Sequence, residues 1–90
     1  MPPRDLDDNQ IKALILNYLV RRKCWNNKYL PRQKLVRFLG HDVLGDGGKV
    51  GDCIEDLRKL GWVNYMKKGE TVSLNSRYLK DIFQHLDKHL

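Results

Sequence analysis

The stretch Val50-Gly51-Asp52-Cys53-Ile54-Glu55-Asp56-Leu57-Arg58-Lys59-Leu60-Gly61-Trp62-Val63-Asn64-Tyr65-Met66-Lys67-Lys68-Gly69-Glu70-Thr71-Val72-Ser73-Leu74 changes its hydrophobic period part-way along. Val50, Ile54, Leu57 and Leu60 recur at helical spacing. Gly61 stands where a helix closes in a left-handed cap. Beyond it the period is two: Val63 and Tyr65 alternate with Asn64, and Val72 and Leu74 alternate with Thr71 and Ser73. Lys67-Lys68-Gly69-Glu70 between the two runs is a turn-sized break with a glycine. The stretch predicts a helix that feeds through Gly61 into a small hairpin with a basic tip.

Working outward toward the N-terminus, a second glycine-rich segment, His41 to Gly48, precedes this helix, and Val43 and Leu44 within it are candidates to plug the core. A helix comes before that, with Pro31 in its first turn, running to about Leu39 and capped by Gly40. Leu35, Val36, Phe38 and Leu39 are assigned inward, and Gln33, Lys34 and Arg37 outward. Tyr29 and Leu30, held extended by the following proline, predict a short strand pairing with the hairpin. The first helix spans about 9–23, with Asp7 or Asp8 as its cap and Arg21, Arg22 and Lys23 at its C-terminal end, where cations complement the dipole. It is apolar nearly all round: Ile11, Leu14, Ile15, Tyr18 and Leu19 form one face, and Ala13, Leu16 and Val20 the other. Such a helix must be covered on both sides. The cover predicted for the second side is the C-terminal helix, its own or a partner's. That helix begins after an Asn75 cap and carries Leu79, Ile82, Phe83, Leu86 and Leu90 as a stripe. Residues 1–6 read as a disordered arm and 7–90 as one domain.

Bulk properties narrow the class. With 41% hydrophobic and 31% charged residues, the composition is that of a folded soluble domain. No apolar run approaches the roughly 20 residues of a membrane span, and the N-terminus carries no secretory signature, so the expectation is a cytoplasmic protein with no membrane partner. Cys24 and Cys53 lie at no metal-ligand spacing and read as core thiols. The net charge is +6, unevenly spread. Residues 9–41 hold eight cations and no acid (Lys12, Arg21, Arg22, Lys23, Lys28, Arg32, Lys34, Arg37), whereas 42–56 sum to −4. A basic block so concentrated points to an anionic partner, nucleic acid before membrane.

The order helix, short strand, helix, helix, two-stranded wing, helix, and above all Ile54-x-x-Leu57-x-x-Leu60-Gly61-Trp62-Val63, resembles the winged helix-turn-helix domains of small archaeal and bacterial transcription regulators. The resemblance implies an α+β, mostly α fold, with a three-helix core, a small antiparallel β wing and a C-terminal helix. It also implies duplex DNA as partner, with the third helix as the recognition helix in the major groove. The outward residues of that helix, Asp52, Glu55, Asp56 and Lys59, are net −2, which a phosphate-lined groove repels. DNA contacts are therefore assigned to Lys28, Arg32, Lys34 and Arg37 around the second helix, to Lys49 at the start of the third, and to Lys67 and Lys68 at the wing tip. Gly47, Gly48 and Gly51 either admit a phosphate to the helix N-terminus or simply form a loop. Leu79, Ile82, Phe83 and Leu86 are assigned to a homodimer interface. The same acidic face supports an alternative, a winged helix used as a protein-interaction module in a transcription or replication assembly.

Enzyme chemistry is not indicated. Gly45-x-Gly47-Gly48 follows no strand and is no dinucleotide fingerprint. His85 and His89 stand one turn apart with no third ligand in view, so no metal and no cofactor are assigned. Trp62, Tyr65 and Phe83 are assigned to the core, and Trp25 and Tyr29 either pack on the short strand or stack on a partner.

Overall fold

The computed structural model describes residues 7–40, 47–66 and 70–89. In chain order the elements are α1 (Asp8–Arg21), β1 (Leu30–Pro31), α2 (Arg32–Gly40), α3 (Gly47–Leu60), β2 (Val63–Met66), β3 (Thr71–Leu74) and α4 (Leu79–His89), the last entered through a single 3-10 turn at Ser76–Tyr78. The class is α+β and mostly helical, with one three-stranded antiparallel sheet in the order β1-β3-β2.

Each helix end has a chemical reason. Asp7 caps α1: its carboxylate accepts from the Gln10 backbone N–H at 2.8 Å, and the Gln10 side chain accepts from the Asp7 N–H at 3.1 Å. At the other end Cys24 N–H donates to Leu19 O at 3.0 Å around Lys23, whose φ is +56°. α3 ends in the same way. Trp62 N–H donates to Leu57 O at 3.1 Å around Gly61, whose φ is +86°. Asn75 then ties two ends together: its side-chain amide donates to Gly61 O at 2.9 Å, and its side-chain oxygen caps the 3-10 turn through Arg77 N–H at 3.1 Å.

The sheet is built around β3. Tyr65 faces Val72, Val63 faces Leu74 and Leu30 faces Val72, so every residue of β3 is buried. The segment after α1 adds to its end, with Leu74 N–H donating to Cys24 O at 2.7 Å and Asn26 N–H to Leu74 O at 2.8 Å. α1 runs through the middle of the molecule against α2, α3, α4 and β3. Ile11, Ala13, Ile15, Leu16 and Leu19 are consequently all fully buried. The second apolar side of α1 is thus covered by the chain's own α4, whose Ile82 is fully buried and whose Leu86 is nearly so.

Several expectations are corrected. Pro31 belongs to β1 and not to the following helix, because Arg32 N–H is already taken by Glu70 O at 2.9 Å. Gly40 is the last helical residue of α2, not a cap beyond it. Phe38 points away from the core, 51% exposed: Leu35 and Leu39, one turn apart, occupy the inward line of this short helix, and Phe38 falls to its side. Leu60 is also 51% exposed, because the chain turns off at Gly61 before anything covers it. Phe83 is exposed on α4 and stacks on Trp25 with ring centroids 6.2 Å apart. Val43, Leu44, Leu90, the arm assigned to residues 1–6, and the Lys67, Lys68 and Gly69 assigned to a wing tip lie outside the described residues.

Candidate nucleic-acid interface

The cations assigned to DNA contact divide by position. Lys34 and Arg37 are both exposed on α2, three residues apart and so on one helix face. Lys28 is exposed in the segment leading to β1. None of these three has an ion-pair partner among the described residues. Lys49 is exposed in the first turn of α3. Lys67 and Lys68 lie outside the described residues.

Arg32 differs from the rest. It is half-buried, and its Nη2 would stand 3.1 Å from a Cβ placed on Gly51. The lack of a side chain at Gly51 therefore lets the start of α2 lie against the first half of α3. The Arg32 Nε is buried with no hydrogen-bond partner among the described residues. Arg32 also lies close enough to the Tyr65 phenol to favour its ionised form, opposing the burial and the Glu55 hydrogen bond that raise the Tyr65 pKa. Its first role is thus to join α2, α3 and β2, not to stand free as a phosphate ligand.

The acids on α3 are the second feature. Glu55 accepts from Tyr65 Oη at 2.9 Å through Oε2 and from Arg58 Nε at 2.9 Å through Oε1, and Arg58 Nη2 closes the same ion pair. These hydrogen bonds, Arg58 first and Tyr65 second, hold the Glu55 carboxyl down at about 2. The Arg58 guanidinium also lies 5.3 Å from the centroid of the Tyr65 ring. Asp56 is met by Lys12 of α1 at 3.8 Å. Of the three outward acids read from the sequence, two are therefore engaged by cations of the chain itself, and Asp52 is left exposed. The spacing Glu55 to Arg58 was a usable signal for the first pair. Lys12 and Asp56 lie 44 residues apart and carried none.

The residues assigned to a dimer split in two. Ile82 and Leu86 belong to the core of their own chain, because α4 packs on α1, and cannot serve an interface without unfolding it. Leu79 and Phe83, one turn apart, are 43% and 42% exposed.

The histidines are accounted for locally. His85 has its Nε2 3.0 Å from Asn9 O, stands edge-on to Trp62 at 5.6 Å, and meets His89 at 4.4 Å. Burial, the largest influence, lowers its pKa. Among the described residues no group of three or more His, Cys, Asp or Glu is arranged to hold a metal, and no helix is long and apolar enough to cross a membrane. Comparisons of the chain with protein-family models, with curated proteins and with solved structures give no match.

Proposed function

We propose that this chain is a winged-helix domain that binds duplex DNA and acts as a transcriptional regulator. α2, the first turn of α3, and Lys67 and Lys68 between β2 and β3 in the sequence would meet the phosphates. The observation that carries the reading is how charge is divided between neighbouring helices. Lys34 and Arg37 stand exposed and without acid partners among the described residues, while two of the three α3 acids that would repel DNA are held by Arg58, Tyr65 and Lys12. The element order, with a short strand before α2 adding to the hairpin after α3, is in keeping with a winged helix. Affinity in such a protein comes chiefly from phosphate contacts, and sequence preference from base edges met by the helix in the groove. A second copy would dock through Leu79 and Phe83, setting two half-sites about one helical turn apart.

The protein-docking alternative rested on an acidic α3 surface. With Glu55 and Asp56 each paired to a cation of the chain, the net charge of that surface is reduced, and Asp52 is its unpaired acid among the described residues.

Fluorescence anisotropy of a labelled mixed-sequence duplex, titrated at several salt concentrations, tests the proposal. Log K should fall with log salt by about four or five phosphates' worth at roughly −0.9 each. Binding weaker than ~100 μM at low salt, below the usual non-specific range, would overturn it.

A further inference from the structure

α1 and α2 leave between them a groove of about 440 Å³. Leu14, Tyr18 and Leu39 supply apolar surface to it, and Phe38 stands beside Tyr18 with ring centroids 4.9 Å apart, tilted by 46°. Asn17, Arg21 and Arg22 provide its polar edge. The contribution from α1 is one helix face: Leu14, Asn17, Tyr18 and Arg21 follow the i, i+3, i+4, i+7 rule. Along this face Tyr18 is buried and Leu14 half-buried, and the exposed Phe38 finds its ring partner in Tyr18.

The two charged residues that line the groove, Arg21 and Arg22, are both cationic. The Arg22 guanidinium is held over the Tyr18 ring, 4.6 Å from its centroid. Arg21 is exposed and has no ion-pair partner among the described residues. A recess flanked by two guanidinium groups without ion-pair partners among the described residues selects an occupant with a flat apolar body and a negative end. Guanidinium is the side chain best shaped to grip a carboxylate in two places.

Size limits the occupant further. The volume falls within the roughly 300–1,000 Å³ of small-ligand sites. Along α1 the lining runs only from Leu14 to Arg22, roughly 12 Å at 1.5 Å per residue, which is too short to seat an amphipathic helix of several turns. We infer that the α1–α2 groove is a binding site for a small aromatic carboxylate, its ring against Phe38 and Leu14 and its carboxylate at Arg21, with Arg22 beside it. Nothing in this inference depends on DNA binding.

The test is titration with 2-naphthoate and, in parallel, with its neutral counterpart 2-naphthamide, followed by amide chemical shifts of the labelled protein. Naphthoate should saturate, with its largest shifts at Leu14, Tyr18, Phe38 and Leu39. The amide should bind severalfold more weakly, since an ion pair at an exposed guanidinium is worth up to roughly a factor of five. Arg21→Gln should remove that preference and leave the amide's affinity unchanged. Phe38→Ala, at an exposed position, should weaken both ligands and leave the fold intact. Equal affinity for acid and amide, shifts centred elsewhere, or no saturable binding at millimolar naphthoate would each overturn the inference.

Discussion

The Tyr65 hydroxyl donates to Glu55 Oε2 at 2.9 Å, joining β2 to α3 across ten residues of chain while Arg58 holds the other carboxylate oxygen. An acid that reads in the sequence as part of a repulsive surface is thus paired within the chain, although its side chain stays partly exposed. Because these bonds favour the charged form, Glu55 titrates near 2 instead of its ordinary 4.5. A carboxyl with a depressed folded pKa adds stability that is present above its unfolded value and is lost as pH falls through the folded one. Glu55→Gln keeps the shape but not the charge. In urea unfolding, the advantage of the native chain over this variant should be constant above pH 5 and should shrink between 4.5 and 2. A gap independent of pH down to 2.5 would show that the bonds do not discriminate the charged form.

α1 and α3 end in the same left-handed turn, with Lys23 in one place and Gly61 in the other. For a residue with a Cβ that conformation costs roughly 1–2 kcal/mol. Lys23→Gly should therefore raise stability, by about 0.5–1 kcal/mol once the entropy of glycine is set against the relief. Gly61→Ala should do the reverse and more, because the new Cβ would also lie 3.2 Å from the Tyr78 ring. A domain of this size shifts its midpoint by about 4–8 °C per kcal/mol, so calorimetry of the two variants resolves opposite signs.

On α4, Ile82 and Phe83 are sequence neighbours with different fates, one fully buried against α1 and the other 42% exposed. Ile82→Ala should cost about 2–5 kcal/mol, the usual range for emptying a packed position. That loss should be the same at every protein concentration, as for a position within one chain's core. Leu79→Ser with Phe83→Ser should leave the isolated chain folded at a smaller cost than Ile82→Ala, the loss including roughly 0.5–1.5 kcal/mol from the Trp25–Phe83 ring contact. If the two exposed residues serve a second copy, sedimentation of the double variant will show the loss of a dimer present in the native chain.

Much of this architecture was legible because it depends on local chemistry. The Gly61 exit, the Asn75 cap and the extended segment before Pro31 are each decided by one residue's backbone preferences and its immediate neighbours. The need to cover α1 on two sides was legible from its circumference alone, and α4 meets it. What escaped depends on partners distant in sequence. Phe38 and Leu60 have the right residue type and nearly the right spacing for the core, yet periodicity does not say where a neighbouring element stops. The net charge of the α3 surface was counted correctly from its residues, but its availability to a partner depends on Lys12 and Tyr65, which belong to other elements.

Cys53 is buried on the inner side of α3 and close to Asp8, and both conditions disfavour the thiolate, pushing its pKa up to about 11. Cys24, also buried, is raised chiefly by the same desolvation. Only thiolate reacts rapidly with disulfide reagents. Ellman's reagent at pH 7.5 should therefore label neither cysteine in the folded protein and both in denaturant. Rapid labelling of Cys53 in the native state would mean that α3 opens readily.

The charge division on α2 and α3 makes a quantitative forecast for DNA. Lys34 and Arg37 are exposed, so Lys34→Gln with Arg37→Gln should leave stability within about 1 kcal/mol. If both touch phosphates, the double variant should bind every duplex more weakly. Its salt slope should flatten by about 1.8, from two lost contacts at roughly 0.9 each. Asp52→Asn supplies the converse. Asp52 is the exposed one of the three outward α3 acids. Its neutralisation should tighten binding if that helix faces the groove, because a negative charge near phosphates is removed. Weakening by the α2 changes with no response at Asp52 would keep DNA on the molecule but turn α3 away from it. A response at Asp52 with no change in slope from α2 would move the phosphate contacts to the turn between β2 and β3.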